Sequence, residues 1–370
     1  GRQAAQAAAT GMTLLNQTFY MANLQDIFHN MKFEEDPQGM TYNSRVLLID
    51  AMNLFIRSYS AVPSMDDDGN HIGGMIGFFK SLGLAIRTFK PTRTIIVFDG
   101  KGGSQSRRKI YQQYKANRKP PVRLNRSYDL TTDEQEKENM KWQLVSLVEM
   151  LECLPVTIFA LDNVEADDVI AYLSQLITAD GGDSIIYSTD KDFFQLAAEN
   201  IKIYNPIKKK TFSDQVILED YGIHPKHFHF FRALDGDKSD NIDGVKGVGE
   251  TNLKKYLPEI ADPTAEISVD MIRNKYANIK KVPKMIENIL NNEDIIERNI
   301  TLMNLHESIM SIDAKMKVVN RFQTTSTSLR KVDLTKLMMK SRLLQAFPNY
   351  DSWLSQNFIP LSRFNNDTTV

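Results

Sequence analysis

Nine acidic side chains, spread over five short stretches, carry the clearest chemical signal in this chain. They are Asp50 in RVLLID, Asp99 in TRTIIVFD, Glu165, Asp167 and Asp168 in VEADD, Asp190 and Asp192 in STDKD, and Asp237 and Asp240 in DGDKSD, with Asp235 a weaker neighbour. Carboxylates are hard oxygen donors and no Cys or His cluster accompanies them, so the set selects Mg²⁺, with Mn²⁺ as a substitute, over zinc. Two such cations about 4 Å apart activate water, stabilise the pentacovalent state and neutralise a departing oxygen in phosphodiester hydrolysis. The expected reaction is attack at phosphorus by metal-activated water, with no covalent enzyme intermediate, and Asp190 is expected to matter for turnover. One aspartate at a strand end can be only a helix N-cap. Three acids within four positions of VEADD repel one another, however, and call for a cation.

These residues need a scaffold that gathers them. RVLLID, TRTIIVFD, PVTIFAL and DSIIYSTD read as strands, the last ending at Asp190, and helical periodicity fills the stretches between them. That alternation predicts an α/β fold with a mainly parallel sheet covered on both faces. Open sheets of this kind bind ligands at the carboxyl ends of their strands, where Asp50, Asp99 and Asp190 would converge. Beyond KIYNPIKKKTFS the pattern becomes mostly helical. The expected division is an amino-terminal extension over 1–43, read as derived in part from cloning, then an α/β core over 44–215 with a basic projection at 101–140. A helical module over 216–310 and a carboxyl-terminal segment over 311–370 with a mobile tail complete it.

The net charge of -1 hides a segregation: nine basic residues and no acidic one lie between Lys101 and Arg126. A basic strip beside an acidic nest suits a protein that grips phosphates and also binds cations. Lys109 and Lys115 are the leading candidates to stabilise charge on the scissile phosphate. Arg107, Arg108, Arg118 and Lys119 interleave with Tyr111 and Tyr114, ingredients for holding a strand by its phosphates and stacking on a base. In GVKGVGETNLKK, Gly244, Gly247 and Gly249 precede a helix, and exposed N–H groups there can hold a phosphate with help from Lys246, Lys254 and Lys255. The loop lacks the GKS or GKT ending of a nucleotide-binding P-loop.

With 42% hydrophobic and 25% charged residues, the composition is that of an ordinary soluble globular protein. No run of eighteen apolar residues suggests a membrane span. The single cysteine, Cys153, excludes an internal disulfide and reads as a small buried residue, which makes the cytosol the natural compartment. His224, His227 and His229 read as flanking packed phenylalanines rather than as metal ligands.

Taken together, IDAMNLFIR at 49–57, FDG at 98–100, YKANR at 114–118, EADD at 165–168, STDKD at 188–192, GDKSDNI at 236–242 and GVKGVG at 244–249 resemble the 5′-nuclease (flap endonuclease) family. ERNITLMNL at 297–305 is similar to its phage ribonuclease H branch. The resemblance implies a PIN-like core, a helical arch over 101–140 and a helix–three-turn–helix (helix-hairpin-helix-like) module near 217–256 that holds duplex backbone, often with K⁺. It assigns all nine acids to the metal site, Lys109 and Lys115 to the scissile phosphate, and Arg57 to a further phosphate. It also implies 5′→3′ exonuclease and flap cleavage of DNA and RNA/DNA, removal of RNA primers, and action as a monomer beside a replicative polymerase and a single-stranded-DNA-binding protein. The chain departs from the family pattern at Asp243, where many relatives carry Pro. Two other readings are a catalytically weak branched-DNA binder and a single-strand ribonuclease.

Overall fold

The computed structural model describes residues 39–118, 123, 132–324 and 327–364. The extension before Gly39, Lys119 and most of the basic segment up to Thr131 lie outside the described residues, as does the tail from Asn365.

A six-stranded sheet forms the centre, in the order β3-β2-β1-β4-β5-β6. The strands are β1 (Arg45–Asp50), β2 (Arg93–Asp99), β3 (Thr157–Leu161), β4 (Asp183–Tyr187), β5 (Ile201–Asn205) and β6 (Lys210–Phe212). The first five are parallel and β6 closes the edge as the antiparallel arm of a hairpin. The expected fourth strand stops at Tyr187, so Asp190 lies just past it, where its side chain caps a short 3₁₀ turn, Lys191–Leu196. KIYNPIKKKTF, expected only as a boundary, is the β5–β6 hairpin; its alternating Ile201, Ile203 and Phe212 are the buried members.

Strand β1 is buried along its whole length, as a central strand with helices on both faces must be. Because neighbouring residues of a strand face opposite ways, Val46 and Leu48 enter one core and Leu47 and Ile49 the other. The Leu47 side is covered by α1 (Ala51–Ala61), α2 (Gly73–Phe89) and, beyond the six-residue α3 (Gln105–Ile110), by α4 (Asp133–Leu151). The Val46 side is covered by α5 (Ala166–Ala179), whose Val169, Ile170 and Leu173 pack inward as their spacing predicts.

The helical half follows as α6 (Asp214–Tyr221), α7 (Phe228–Asp235), α8 (Glu250–Tyr256), α9 (Val269–Tyr276), α10 (Lys284–Leu290), α11 (Glu293–Met303) and α12 (Ile312–Thr324). Its buried residues, among them Ile217, Phe228, Leu253, Ile286, Ile296 and Val318, join the Val46 core. Two last helices, α13 (Lys331–Lys340) and α14 (Tyr350–Asn357), return to the Leu47 face through Leu334, Met338 and Leu354. Cys153 is buried, as expected. No helix among the described residues is long and apolar enough to cross a membrane.

Candidate active site

The order of strands reverses between β1 and β4, and the crevice outside the carboxyl ends at such a switch is where open α/β sheets bind ligands. Asp50 terminates β1 there, accepting from the Asn53 amide at 3.1 Å and from the Ser188 hydroxyl at 2.9 Å. The same serine receives the Asp190 amide at 3.1 Å, so one hydroxyl links the two aspartates across the crevice. Asn53 completes the join by donating to the Thr189 hydroxyl at 2.7 Å. Asp99, at the end of β2, caps α5 by accepting from the Ala166 amide at 2.8 Å, which brings the EADD segment to the same rim.

Burial and mutual repulsion dominate the electrostatics. Burial, followed by the charge of neighbouring carboxylates, raises Asp167, which feels Asp190 and Asp50. Asp190 is raised by burial and by Asp50 and Asp237. Asp50 and Asp192 are each lifted to about 6, again chiefly by burial. Four carboxyl groups driven toward their neutral forms amount to an unmet demand for positive charge.

Asp192 and four of the five remaining acids, Glu165, Asp168, Asp237 and Asp240, have basic partners, while Asp99 accepts from the backbone. Among the described residues no three His, Cys, Asp or Glu side chains form a ready-made ligand group, and basic side chains stand among the acids. Arg107 reaches Glu165 and Asp168, each at 2.6 Å, and its second nitrogen reaches Asp168 at 3.1 Å. Lys115 donates to Glu165 at 2.5 Å and lies 3.8 Å from Asp240. Although burial opposes it, Lys115 and Arg107 hold Glu165 below the ordinary carboxylate range. Arg232, which the sequence reading did not single out, joins Asp192 at 2.5 Å to Asp237 at 2.7 Å. Asp237 also accepts from the Ser239 amide and hydroxyl, both at 2.7 Å; against its burial, these bonds and Arg232 pull it below its ordinary value. Asp240 pairs with the exposed Arg118 at 3.1 Å. All nine acids therefore belong to one connected region, with Asp50, Asp167, Asp190 and Asp192 at its electron-rich centre.

Several expected roles need correction. Arg107 is 4% exposed and locked between Glu165 and Asp168, so it is a clamp within the acidic set and not a surface contact for nucleic acid. Asp168 is 2% exposed with both oxygens on Arg107, which withdraws it from the crevice. Tyr114 is 3% exposed and points its hydroxyl at Glu165, 3.0 Å away, so its ring is not open to a base. Lys109 is exposed and lines a different cavity, together with Asp162, Asn163 and Lys317, and has no ion pair with the acids among the described residues. Tyr111 is half-buried beneath the Arg298 guanidinium, 4.2 Å from its ring centre. Arg57, one turn after Asn53, is close enough to Asp50 for its charge to be felt there. Arg108 and Arg118 remain exposed on the surface.

The glycine loop stands on the opposite wall. A side chain at Gly244 would lie 2.2 Å from the Asp235 carbonyl oxygen, and Gly247 has a φ of +83°. Both positions thus require glycine. Gly249 caps α8, with Lys254 and Lys255 in that helix's last turn and Lys246 exposed before it. Asn299 of α11, fully buried, donates to the carbonyls of Ala233 at 2.9 Å and Asp243 at 2.8 Å, and so fixes both ends of the DGDKSD turn. Neither Arg232 nor Asn299 stands in an obviously acidic or basic motif, and only the fold reveals them.

Comparison with known proteins bears on the family and the fold. The family model "5′-3′ exonuclease, N-terminal resolvase-like domain" matches residues 45–222. A 5′-3′ exonuclease of Aquifex aeolicus is 32% identical over 215 residues, covering 56% of this chain and 68% of that protein. The thermostable DNA polymerase I of Thermus thermophilus is 32% identical over 225 residues, 60% of this chain but only 24% of the polymerase. Among solved structures, the bacteriophage T5 D15 flap endonuclease in a complex with DNA and metal ions aligns with a TM-score of 0.56 at 20% identity, covering 82% of this chain and all of that one. At that identity the likeness bears on the fold.

Proposed function

The chain belongs to the 5′-3′ exonuclease family, and from that premise we propose that it is a divalent-metal-dependent nuclease cleaving DNA and RNA/DNA at or near 5′ ends and flaps. The observation that carries the proposal is the buried quartet Asp50, Asp167, Asp190 and Asp192, whose mutual repulsion at the sheet's switch point calls for cations.

The donors are all carboxylate oxygens, which suits Mg²⁺ or Mn²⁺. When bound, such ions lower the pKa of water and draw charge from the phosphate. Asp50, Asp167, Asp190 and Asp192 would hold such ions, with Asp237, braced by Arg232, beside them. Asp99 keeps the amino end of α5 seated against that pocket. Lys115, paired with Glu165 and less buried than Arg107, would be the cation to meet the scissile phosphate. Lys109 contributes further from the reacting atoms than the sequence suggested.

The PIN-like and helix-hairpin-helix features extend the reading. The turn from Gly244 to Gly249 would grip duplex backbone through its amides and through Lys246, Lys254 and Lys255, with K⁺ as the monovalent ion the resemblance implies there. The exposed Arg108 and Arg118 start the arch that guides the single strand. By resemblance the enzyme works as a monomer on RNA primers, beside a replicative polymerase and a single-stranded-DNA-binding protein.

A 5′-labelled flap duplex tests the core claim. Cleavage is expected with Mg²⁺ or Mn²⁺ and none with a chelator. Asp190→Asn is expected to lower turnover at least ~100-fold, a scale ordinary for loss of a charged group acting in the transition state, while duplex affinity stays within about threefold. Equal losses in both would remove Asp190 from the chemistry, and metal-independent cleavage would end the proposal.

A further inference from the structure

Far from the carboxylates, the opposite end of the sheet carries a second concave site. A cavity of about 530 Å³ opens where the first residue of β1, the carboxyl end of α2 and the 3₁₀ turn after α14 meet. Its lining includes Arg45, the first residue of β1, whose last residue is Asp50, so the strand alone separates it from the active site by roughly 16 Å. No residue of the proposed nuclease machinery lines it.

Two features of the lining stand out together. The first is apolar: buried Ile86, half-buried Phe364 and exposed Pro360. Neighbouring Ile359 is a large aliphatic side chain left 45% exposed. The second is a rim of three exposed cations, Arg87, Lys90 and Arg363, none of which has an ion-pair partner among the described residues. The carbonyl end of α2 brings at most about half a negative charge to this point, against three full positive ones. Cations with no acidic partner among the described residues, set around an apolar recess, are complementary to a ligand with negative charge beside a bulky apolar side chain.

We propose that this cavity is a docking site for a short acidic peptide segment of a partner protein, one carrying a Leu, Ile or Phe next to two or more carboxylates. The apolar side chain fills the recess and the carboxylates meet Arg87, Lys90 and Arg363. A peptide is favoured over nucleic acid because the recess offers proline and aliphatic surface. The described lining holds only one fully aromatic ring, Phe364, on which a base could stack. The volume suits two or three bulky side chains and is too small for a folded domain, in keeping with a linear segment laid in a groove. Such a site would tether the nuclease to another protein without blocking its carboxylate crevice.

The test uses the full chain and a defined probe, a fluorescein-labelled peptide of four acidic residues ending in Leu-Phe. Fluorescence anisotropy is expected to give saturable binding with a Kd on the order of 10 μM. The double variant Arg87→Glu with Arg363→Glu should weaken it at least tenfold. Phe364→Ala should weaken it as well, at unchanged peptide charge. Flap cleavage by these variants should stay at the parental rate, which shows that they fold. A peptide whose terminal Leu-Phe is replaced by Ser-Ser separates the two halves of the recognition, and equal affinity for it would reduce the site to non-specific charge attraction and overturn the proposal. So would an affinity weaker than about 1 mM, or a charge-reversal effect seen on a single-stranded oligonucleotide and not on the peptide.

Discussion

At the level of single residues, the pocket works by pairing unlike groups in unequal numbers. Arg107 satisfies Glu165 and Asp168 so completely that it serves the fold before it serves the substrate. Removing one partner of a buried ion network leaves uncompensated charge and costs about 3–5 kcal/mol. Arg107→Ala is therefore expected to lose that much stability in urea denaturation, whereas loss of a surface phosphate contact would leave the midpoint unchanged. Arg107→Lys should recover only part, since a point charge cannot reach both carboxylates in the forked geometry. The acids themselves were legible in the sequence because each sits in a short motif with a strand or helix boundary beside it. The roles of the basic residues were not. RRKIYQQYK looks uniformly basic, and only the six-residue α3 turns Arg107 inward while leaving Arg108 and Lys109 exposed.

Elements position these groups through a few non-local ties. The parallel strands were readable from their apolar runs, and the sheet order then set which carboxyl ends are neighbours. The β5–β6 hairpin and the link from α11 to the DGDKSD turn were not readable. ERNITLMNL carries a family likeness, and nothing in it marks Asn299 as a bridge, yet the Asn299 amide holds two carbonyls 66 and 56 residues away. Asn299→Ala leaves both carbonyls buried without a donor, an expected loss of roughly 1–3 kcal/mol. Because those carbonyls flank the turn that carries Asp237 and leads into Gly244, duplex binding should weaken along with stability. Gly247→Ala should act more narrowly. A side chain in left-handed backbone costs roughly 1–2 kcal/mol, so affinity for duplex should fall while flap cleavage at saturating enzyme is preserved. Global unfolding in the Gly247 variant would contradict the assignment of this turn to backbone binding.

For the molecule as a whole, the buried quartet couples proton uptake, cation binding and stability. Asp50 and Asp192 titrate near 6 in the folded chain because burial raises them, compared with about 4 for a free carboxyl. A folded state that binds protons more tightly than the unfolded state gains stability as pH falls. For this pair the gain begins as pH drops through 6 and is complete below about 4. Glu165 and Asp237, held low, act in the opposite sense, and their contribution is lost only at lower pH as it falls through their depressed values. Relative to an Asp50→Asn, Asp192→Asn double variant, metal-free protein should thus gain melting temperature from pH 8 to pH 5.5. His71, His224, His227, His229 and His306, all held low chiefly by burial, cost stability equally in both proteins over that range. The added stability from Mg²⁺ should shrink over the same interval because protons and cations compete for the same oxygens. Thermal melts across that range, with chelator and with Mg²⁺, check both trends. A Mg²⁺ increment that stays constant with pH would show that the ions bind elsewhere.

The guanidinium bridging Asp192 and Asp237 has a further consequence. It ties the sheet-borne wall of the crevice to the helical wall. With Lys115, and with Asn299 holding the DGDKSD turn, it would keep the two walls joined when ions are scarce. A cell whose free magnesium falls would then hold an idle but intact enzyme. Restoring the ion would restart cutting on the timescale of diffusion, with no wait for refolding.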